Sequence, residues 1–339
     1  MSCKMRKTAF QIVLAALLAV SCNKVSPIGV LVAGTAVEDR VAMSNLFYRN
    51  HYEDKVWLLA KGDYTFLVGA DSHITDDSAR MDEMLSIGLE DDDLFYAHLG
   101  DIADTKAEYY VTLDSLLQEA KSRYVNKHYH KVGTEYVSND NTDPDPVTMP
   151  FDRITYPFFP VVGNHDITRN GWALWSNIFH SSFYEIDVLV DLGDGNYAFD
   201  HLIFLDSASG TLGKTQIDLI NQGVLDGKHA DDTYPYRNTF VFSHTNIFRP
   251  QFFEFASTFT REETFFLLDQ FEKWNVSAVF CGHTHTWDER NYNGVHHFTL
   301  DTMCERNNPE PGDYLVRMFC NADGTLEWSP VHMSTTKRK

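Results

Sequence analysis

Val161-Val162-Gly163-Asn164-His165-Asp166 is a β-branched pair that runs into a glycine and then straight into an amide, an imidazole and a carboxylate. The valines suit a buried strand, and the glycine permits the sharp exit that throws the next side chains out at the strand's carboxyl end. In open α/β sheets that end is where ligands bind. Upstream stand two similar stretches, Phe66-Leu67-Val68-Gly69-Ala70-Asp71-Ser72-His73 and Leu94 through Leu99 before Gly100-Asp101. Two more follow, Phe240-Val241-Phe242-Ser243-His244 and Val279-Phe280-Cys281-Gly282-His283-Thr284-His285. Apolar strands are common. Five that each end in a metal-ligating residue type are hard to get by chance.

Composition sets limits on what surrounds these stretches. A chain of 339 residues can bury a substantial core, as one large domain or two small ones. Aromatic residues are plentiful and charge is moderate, so the composition is not that of a disordered chain. The formal charge of −20 argues against a nucleic-acid polymer as partner, because displacing counterions takes basic surface. It leaves room for a small phosphorylated substrate, since bound metal ions invert the local field.

Residues 1–22 stand apart from the fold. Lys4, Arg6 and Lys7 make a basic start, and Phe10 to Val20 are largely apolar but too short to span a bilayer. Ala19-Val20-Ser21-Cys22 then resembles a bacterial lipoprotein signal, with Cys22 lipidated and exposed as the new N-terminus. The alternative is an ordinary signal peptide cut nearby. Both readings export the protein, and the first places it in the cell envelope of a bacterium, touching the membrane only through that lipid. Cys281, Cys304 and Cys320 form no disulfide framework, although Cys304 and Cys320 could pair, and Cys281 reads as a buried strand residue.

Residues 23–339 read as a single domain. A helix is expected from Val37 to about Asn50. Val56–Ala60 and Tyr64–Val68, split by Lys61-Gly62-Asp63, read as a hairpin. Helices are expected over Ser78–Leu89 and from Ala107 to about Arg123. The polar segment at about 124–156 reads as a long loop insertion, and its place between two site motifs puts it near the mouth of a pocket. Trp172 and Trp175 fall in a helix. Tyr197-Ala198-Phe199 and Leu202–Leu205 read as a second hairpin, followed by helices over Lys214–Val224 and Glu262–Trp274. The strand-rich end turns at Ala322-Asp323-Gly324. Mixed strands and helices giving way to strands indicate a layered α/β sandwich.

The motifs together offer Asp71, His73, Asp101, Asn164, His244, His283 and His285, all oxygen or imidazole donors with no thiolate. That mix suits Mn, Fe or Zn; an all-oxygen Mg or Ca site would not need four histidines. On an extended segment His283 and His285 point the same way, as do Asp71 and His73. Seven ligands are too many for one ion and about right for two sharing a carboxylate. Such a pair, roughly 3.5–4 Å apart, clamps the attacking and leaving oxygens in phosphoryl transfer.

The ordered set resembles the calcineurin-like metallophosphoesterase superfamily, whose pattern is DxH, GDxxD, GNHD or GNHE, a lone His, and GHxH. Here these are Asp71-Ser72-His73, Gly100-Asp101-Ile102-Ala103-Asp104, Gly163-Asn164-His165-Asp166, His244 and Gly282-His283-Thr284-His285, spread over roughly Phe66 to Trp287. The resemblance implies a four-layer α-β-β-α sandwich of two mixed sheets flanked by helices. It further implies that Asp71, His73, Asp101 and His285 hold one transition-metal ion and that Asp101, Asn164, His244 and His283 hold the second. Hydrolysis of phosphomonoesters or phosphodiesters would then proceed by attack of a metal-bound hydroxide. His165 would assist the leaving group or the phosphoryl oxygens, oriented by Asp104. Protein Ser/Thr phosphatases carry arginine where this chain has Thr105. Purple acid phosphatases lack the DxH histidine and carry a tyrosine ligand at the position of Asp104. The secreted phosphoesterase branch fits better.

Other residues read more plainly. His51, His98, His180, His201, His229 and His332 suit surface or satisfied core positions, and His296 and His297 suit a strand. His128, His130, Lys131 and Arg153 read as solvated loop charge, Trp172 and Trp175 as packing, Asp206 as a cap or turn residue, and Asp166 as support for its turn. A reading of another class also stands at this point: a catalytically idle, metal-holding envelope lipoprotein that serves as a binding module.

Overall fold

The computed structural model describes residues 35–44, 46–47, 57–75, 77–104, 106–140, 148–226, 234–248 and 259–334. The signal segment with Cys22, the tether at 23–34, His51, Thr105, His229 and the middle of the 124–156 segment lie outside them.

In chain order the elements are α1 (Val37–Met43), β1 (Leu46–Phe47), β2 (Trp57–Lys61), β3 (Tyr64–Gly69), α2 (Ala79–Glu90), β4 (Phe95–His98) and α3 (Ala107–His128). Then come β5 (Tyr129–Val132), β6 (Glu135–Ser138), β7 (Phe158–Pro160), α4 (Asn164–Ile167), α5 (Gly171–Phe179), β8 (Tyr184–Gly193) and β9 (Asn196–Leu205). The chain closes with α6 (Gly213–Asn221), β10 (Tyr236–Ser243), α7 (Arg261–Lys273), β11 (Val276–Cys281), β12 (Asp288–Tyr292), β13 (Val295–Thr299), β14 (Gly312–Cys320) and β15 (Leu326–Met333).

Two mixed sheets carry the fold. One runs β1-β8-β9-β10-β11-β13-β12 with β2 also on β8, and the other runs β15-β14-β3-β4-β7. Their facing sides are aromatic. Tyr184, Phe204, Phe242, Phe280 and Phe298 stack rung by rung across five neighbouring strands, with centroids 4.5 to 5.2 Å apart. From the second sheet Phe66 meets that ladder edge-on, 6.1 Å from Phe242 and 5.9 Å from Phe280. Such pairs add to the area they bury, which is why this seam sets the registration of the sheets. Outside, α1, α6 and α7 cover the larger sheet through Val37, Val41, Ile220, Leu267 and Phe271. On the smaller sheet α2, α3 and α5 contribute Met84, Leu85, Leu113 and Trp175. The layered α/β sandwich of two mixed sheets flanked by helices is therefore the architecture.

Several local readings change. β2 and β3 are no hairpin: β2 joins the larger sheet and β3 the smaller. Gly62 (φ +81°) makes the turn, but its N–H bonds to Asp191 O (2.9 Å), so the chain passes along β8 instead of folding back on β2. The second expected hairpin is one strand, β9, because Asp200 and His201 at its centre have buried partners: Tyr64 Oη (2.8 Å) for Asp200 and Asp187 (2.7 Å) for His201. The first helix ends at Met43 and gives way to β1.

The 124–156 segment begins inside α3 and continues as the β5–β6 hairpin. Its described residues, 124–140 and 148–156, lie away from the carboxyl ends of β3, β4 and β7. α3 spans about 33 Å at 1.5 Å per residue and carries the chain to the opposite end, where Lys127 pairs with Asp92 (2.6 Å) ahead of β4 and Asp140 with Lys61 (3.7 Å). For its described residues the expectation that this segment borders the pocket does not hold; residues 141–147 lie outside them.

Candidate active site

β3, β4 and β7 run parallel in one sheet, and β10 and β11 run parallel in the other. The residues just beyond their carboxyl ends are Asp71, Asp101, Asn164, His244 and His283 with His285, and they meet at one place. Ligand-type atoms of Asp71, His73, Asp101 and His285 lie within 4.8 Å of one another, as do those of Asp101, His244 and His283. Asn164 joins the second group, its Oδ1 2.8 Å from His244 Nε2. All seven residues singled out from the sequence are thus brought together, with Asp101 common to both groups.

Hydrogen bonds decide which atoms face inward. Asp101 Oδ1 accepts the His165 N–H (2.7 Å), leaving Oδ2, which is 3.8 Å from His73 Nε2 and 3.5 Å from His244 Nε2. His244 Nδ1 lies 2.7 Å from Leu99 O; a carbonyl only accepts, so the proton sits on Nδ1 and the Nε2 lone pair points into the cluster. In the same way His73 turns Nδ1 to Asp104 Oδ1 (3.2 Å) and Nε2 inward. Asp71 Oδ2 accepts the His283 N–H (2.9 Å), while Oδ1, fully buried, accepts no hydrogen bond. A buried carboxylate oxygen left this way is costly unless a cation completes it.

The backbone is not extended here, contrary to the reading of the DxH and GHxH spacings. Asp71 (φ 53°), His73 (44°), Asp101 (53°), His283 (71°) and His285 (51°) all occupy the left-handed region. At roughly 1–3 kcal/mol each, such residues persist only where their surroundings over-determine them. The twist is what sends His283 toward His244 (Nδ1 to Nε2, 3.2 Å) and His285 toward Asp71 (Nε2 to Oδ1, 3.4 Å). Two glycines admit the close approach: a Cβ on Gly163 would stand 2.1 Å from Asp101 N, and one on Gly282 2.5 Å from Asp71 Oδ2.

Behind the cluster Asp166 binds the turn as expected. It accepts the N–H groups of Gly163 and Asp101 (both 2.8 Å), of Ile102 (3.1 Å) and of Ala103 (3.4 Å), and the Tyr110 hydroxyl (3.0 Å). Burial would raise the Asp71 carboxyl, yet the neighbouring His285 and the charges of His244 and His73 hold it well below the carboxylate range. Burial would lower His73, but Asp104, Asp101 and Asp71 push it up to about 9. The carboxylates draw positive charge into a buried site. Two carboxylates, an amide oxygen and four imidazoles converging there fit divalent transition-metal ions.

At the mouth His165, half exposed, packs edge-on to His73 with centroids 4.7 Å apart. Its Nδ1 is 3.7 Å from Asp104 Oδ1, beyond hydrogen-bond length. Asp104 instead bonds His73 and Arg306 (Nη2 to Oδ2, 2.9 Å). Arg306 belongs to none of the motifs, and no local signal marks it. Thr302, which donates to Asp71 O (2.6 Å), was equally silent.

The remaining sequence readings sort simply. His296 and His297 lie on β13. Trp172 and Trp175 stack in the core. His332 is exposed beside Asp313, and His98 is buried with neither ring nitrogen hydrogen-bonded. Asp206 is no cap or turn residue: it is fully buried and gripped by Arg40 through two 2.8 Å bonds. Cys304 and Cys320 are buried free thiols, so that pairing is overturned, and Cys281 is buried as read. Cavities of about 170 Å³ beside Leu117 and His180 and about 480 Å³ beside Phe271 and His297 are lined by none of the clustered residues.

No protein-family model matches the chain, and no curated protein does. Solved structures do. Among them is GAP50, the anchor in the inner membrane complex of Plasmodium, at 10% identity and a TM-score of 0.49 over 82% of this chain and 90% of that one. A dimetal phosphatase of Danio rerio follows at 12% identity and 0.44, over 78% and 93%. A protein of Thermus thermophilus, TT1561, aligns at 9% and 0.42, over 79% and 98%. The likeness is one of fold.

Proposed function

We propose that this chain is a metal-dependent phosphoesterase of the calcineurin-like kind, acting on small phosphorylated substrates. The observation that carries the reading is Asp101 Oδ2, one oxygen between His73 Nε2 at 3.8 Å and His244 Nε2 at 3.5 Å. A carboxylate oxygen shared by two convergent donor groups is what a two-ion site requires. Asp71, His73, Asp101 and His285 would hold one Mn, Fe or Zn ion and Asp101, Asn164, His244 and His283 the other. Bound ions of this type acidify water and stabilise charge on phosphoryl oxygens.

The chain's own groups do the rest. Asp166 and the left-handed turns fix the donors before any ligand arrives, so no reorganisation is needed during reaction. His165 has Nδ1 toward Asp104, which leaves Nε2 to give a proton to the leaving oxygen. Export and a lipid on Cys22 belong to the same proposal and rest on residues 1–22.

Metal analysis tests the first half: about two transition ions per chain are expected, and fewer than one with every ligand intact counts heavily against it. Turnover of p-nitrophenyl phosphate and bis-p-nitrophenyl phosphate with and without Mn tests the second. Silence of the metal-loaded protein on both would favour a protein that binds and does not hydrolyse.

A further inference from the structure

The segment 302–307 follows β13 and contains none of the five motifs, yet it meets the clustered residues at three points. Thr302 Oγ1 donates to Asp71 O (2.6 Å). Arg306 Nη2 donates to Asp104 Oδ2 (2.9 Å), and the other oxygen of that carboxylate faces His73 Nδ1 at 3.2 Å. Asn307 Nδ2 lies 3.5 Å from His285 Nδ1. Asp71, His73 and His285 are the members of one donor group other than the shared Asp101. The other group is held differently. His244 Nδ1 faces Leu99 O (2.7 Å), Asn164 Oδ1 faces His244 Nε2 (2.8 Å), and His283 Nδ1 lies 3.2 Å from that same nitrogen. Among the described residues, no hydrogen bond joins 302–307 to Asn164, His244 or His283.

The segment is built to stay where it is. The Leu300 N–H bonds Cys281 O (2.8 Å) at the end of β11, and the Met303 N–H bonds Ala70 O (3.0 Å) just beyond β3. Those are the strands that lead to His285 and to Asp71 with His73. Within the segment, Thr302 Oγ1 accepts the Cys304 N–H (2.9 Å), Cys304 O accepts the Asn307 N–H (3.0 Å), and Asn308 Nδ2 donates to Thr302 O (2.9 Å). Arg306, half exposed, is fixed by the Cys304 side chain as well as by Asp104.

Such outer contacts have a known physical effect. A histidine that ligates through Nε2 gives its Nδ1–H to a neighbour, which fixes the ring and raises its basicity. Asp104 does this for His73. Asn307 is placed to do it for His285, its amide oxygen accepting that proton once the amide is turned over. Thr302 braces the left-handed turn at Asp71, a conformation that persists only where its surroundings impose it. We propose that segment 302–307 is a positioning clamp for one ion of the pair. Thr302, Arg306 and Asn307 set the geometry of Asp71, His73 and His285, and thereby the affinity of that ion alone. The inference rests on the two-ion reading.

Mn titration of the full metal-free chain, with dialysis to count the ions and electron paramagnetic resonance to tell them apart, tests it. Two Mn ions sharing a carboxylate are spin-coupled, and a single one gives the spectrum of an isolated ion. The unaltered protein should bind two and show coupling. Thr302→Val should lower the affinity of one ion about tenfold or more, the scale for contacts of this kind, and leave the other at its parental value. One uncoupled ion per chain then remains at limiting Mn. Thr302→Ser keeps the hydroxyl and should keep both ions. Asn307→Leu, whose contact is longer, should weaken the same ion to a smaller extent. Arg306→Gln should weaken it too; loss of a cation would by itself tighten both ions, so a fall confined to one reports position. Arg306 and Asn307 are exposed, and urea midpoints of the metal-free variants check that the fold stands. Parental affinity for both ions in all three variants overturns the clamp, as does a loss shared equally by the two ions. Should the unaltered protein bind no more than one ion, the two-ion reading itself fails, and the clamp with it.

Discussion

Asp166 Oδ2 accepts the backbone N–H of Asp101 at 2.8 Å, so the last residue of one motif holds the first carboxylate of another. The same carboxylate takes the N–H groups of Gly163, Ile102 and Ala103 and the Tyr110 hydroxyl. Asparagine at this position keeps one acceptor oxygen and turns two N–H donors on a nest of donors. Asp166→Asn is expected to destabilise the metal-free protein by about 3 kcal/mol or more, against about 1 kcal/mol for Tyr110→Phe. Urea midpoints of both variants check this, and near-equal losses would mean that the backbone donors do not depend on Asp166.

Gly163→Ala tests the approach of the two turns. A Cβ there would lie 2.1 Å from Asp101 N and 2.2 Å from Asp101 Oδ1, and both are held in place by other bonds. Since Asp101 is the residue common to both donor groups, its displacement should lower occupancy of both ions together. Bound metal per chain after dialysis against limiting Mn is the readout. Loss of a single ion would show that only one group depends on this contact.

Much of this arrangement is legible along the chain because its pattern is local: an apolar strand, a glycine and a ligand residue within a few positions, repeated. The turn-supporting role of Asp166 follows from such neighbours, whereas the division of the donors between two ions rests on the family resemblance alone. What is silent is held by distant partners. Arg40 meets Asp206 166 positions away and Arg306 meets Asp104 202 positions away, and no window of sequence contains either pair. The mid-strand Asp200 and His201 misread as a turn for the same reason, since their partners are on other strands. The left-handed backbone of the ligands escapes pattern reading too, because aspartate and histidine carry no such requirement until the site imposes it.

The pair Arg40–Asp206 carries its own test. Neither side chain is exposed, and Arg40 also donates to Thr35 O (2.6 Å) and Ser209 Oγ (3.1 Å). Removing one partner strands a buried charge, so Arg40→Met should cost about 3–5 kcal/mol. Combining it with Asp206→Leu should recover most of that loss, since neither charge is left without its partner. A double-mutant cycle by urea unfolding measures the coupling; strictly additive losses would mean that the two residues stabilise the fold independently.

Metal removal should be visible in stability before any activity is assayed. Binding to the folded state alone adds about 2.7 kcal/mol per ion at a hundredfold excess over Kd, several degrees of melting temperature for a domain of this size. Chelation should remove the increment and Mn or Zn return it. Asp101→Asn should abolish the response, while Asn164→Ala should keep the part due to the ion held by Asp71, His73 and His285. An identical response in both variants would sink the two-group assignment.

Acid should weaken the fold through two histidines outside the cluster. His98 and His297 are buried with no hydrogen bond to either ring nitrogen. Burial pushes them down to about 3 and about 4, and like charge from His296 and Arg290 adds to the depression of His297. Because the folded pKa values lie below the unfolded value near 6.5, the unfolded chain binds more protons in acid. The stability these groups confer is whole above about 6.5 and is lost as pH falls toward their folded pKa values, at about 1.4 kcal/mol per pH unit for each. The double substitution His98→Leu with His297→Leu should flatten that slope between pH 6.5 and 4.5. Urea midpoints at three pH values decide it: a gap between variant and parent that stays constant with pH would mean that neither histidine enters the folded protein uncharged.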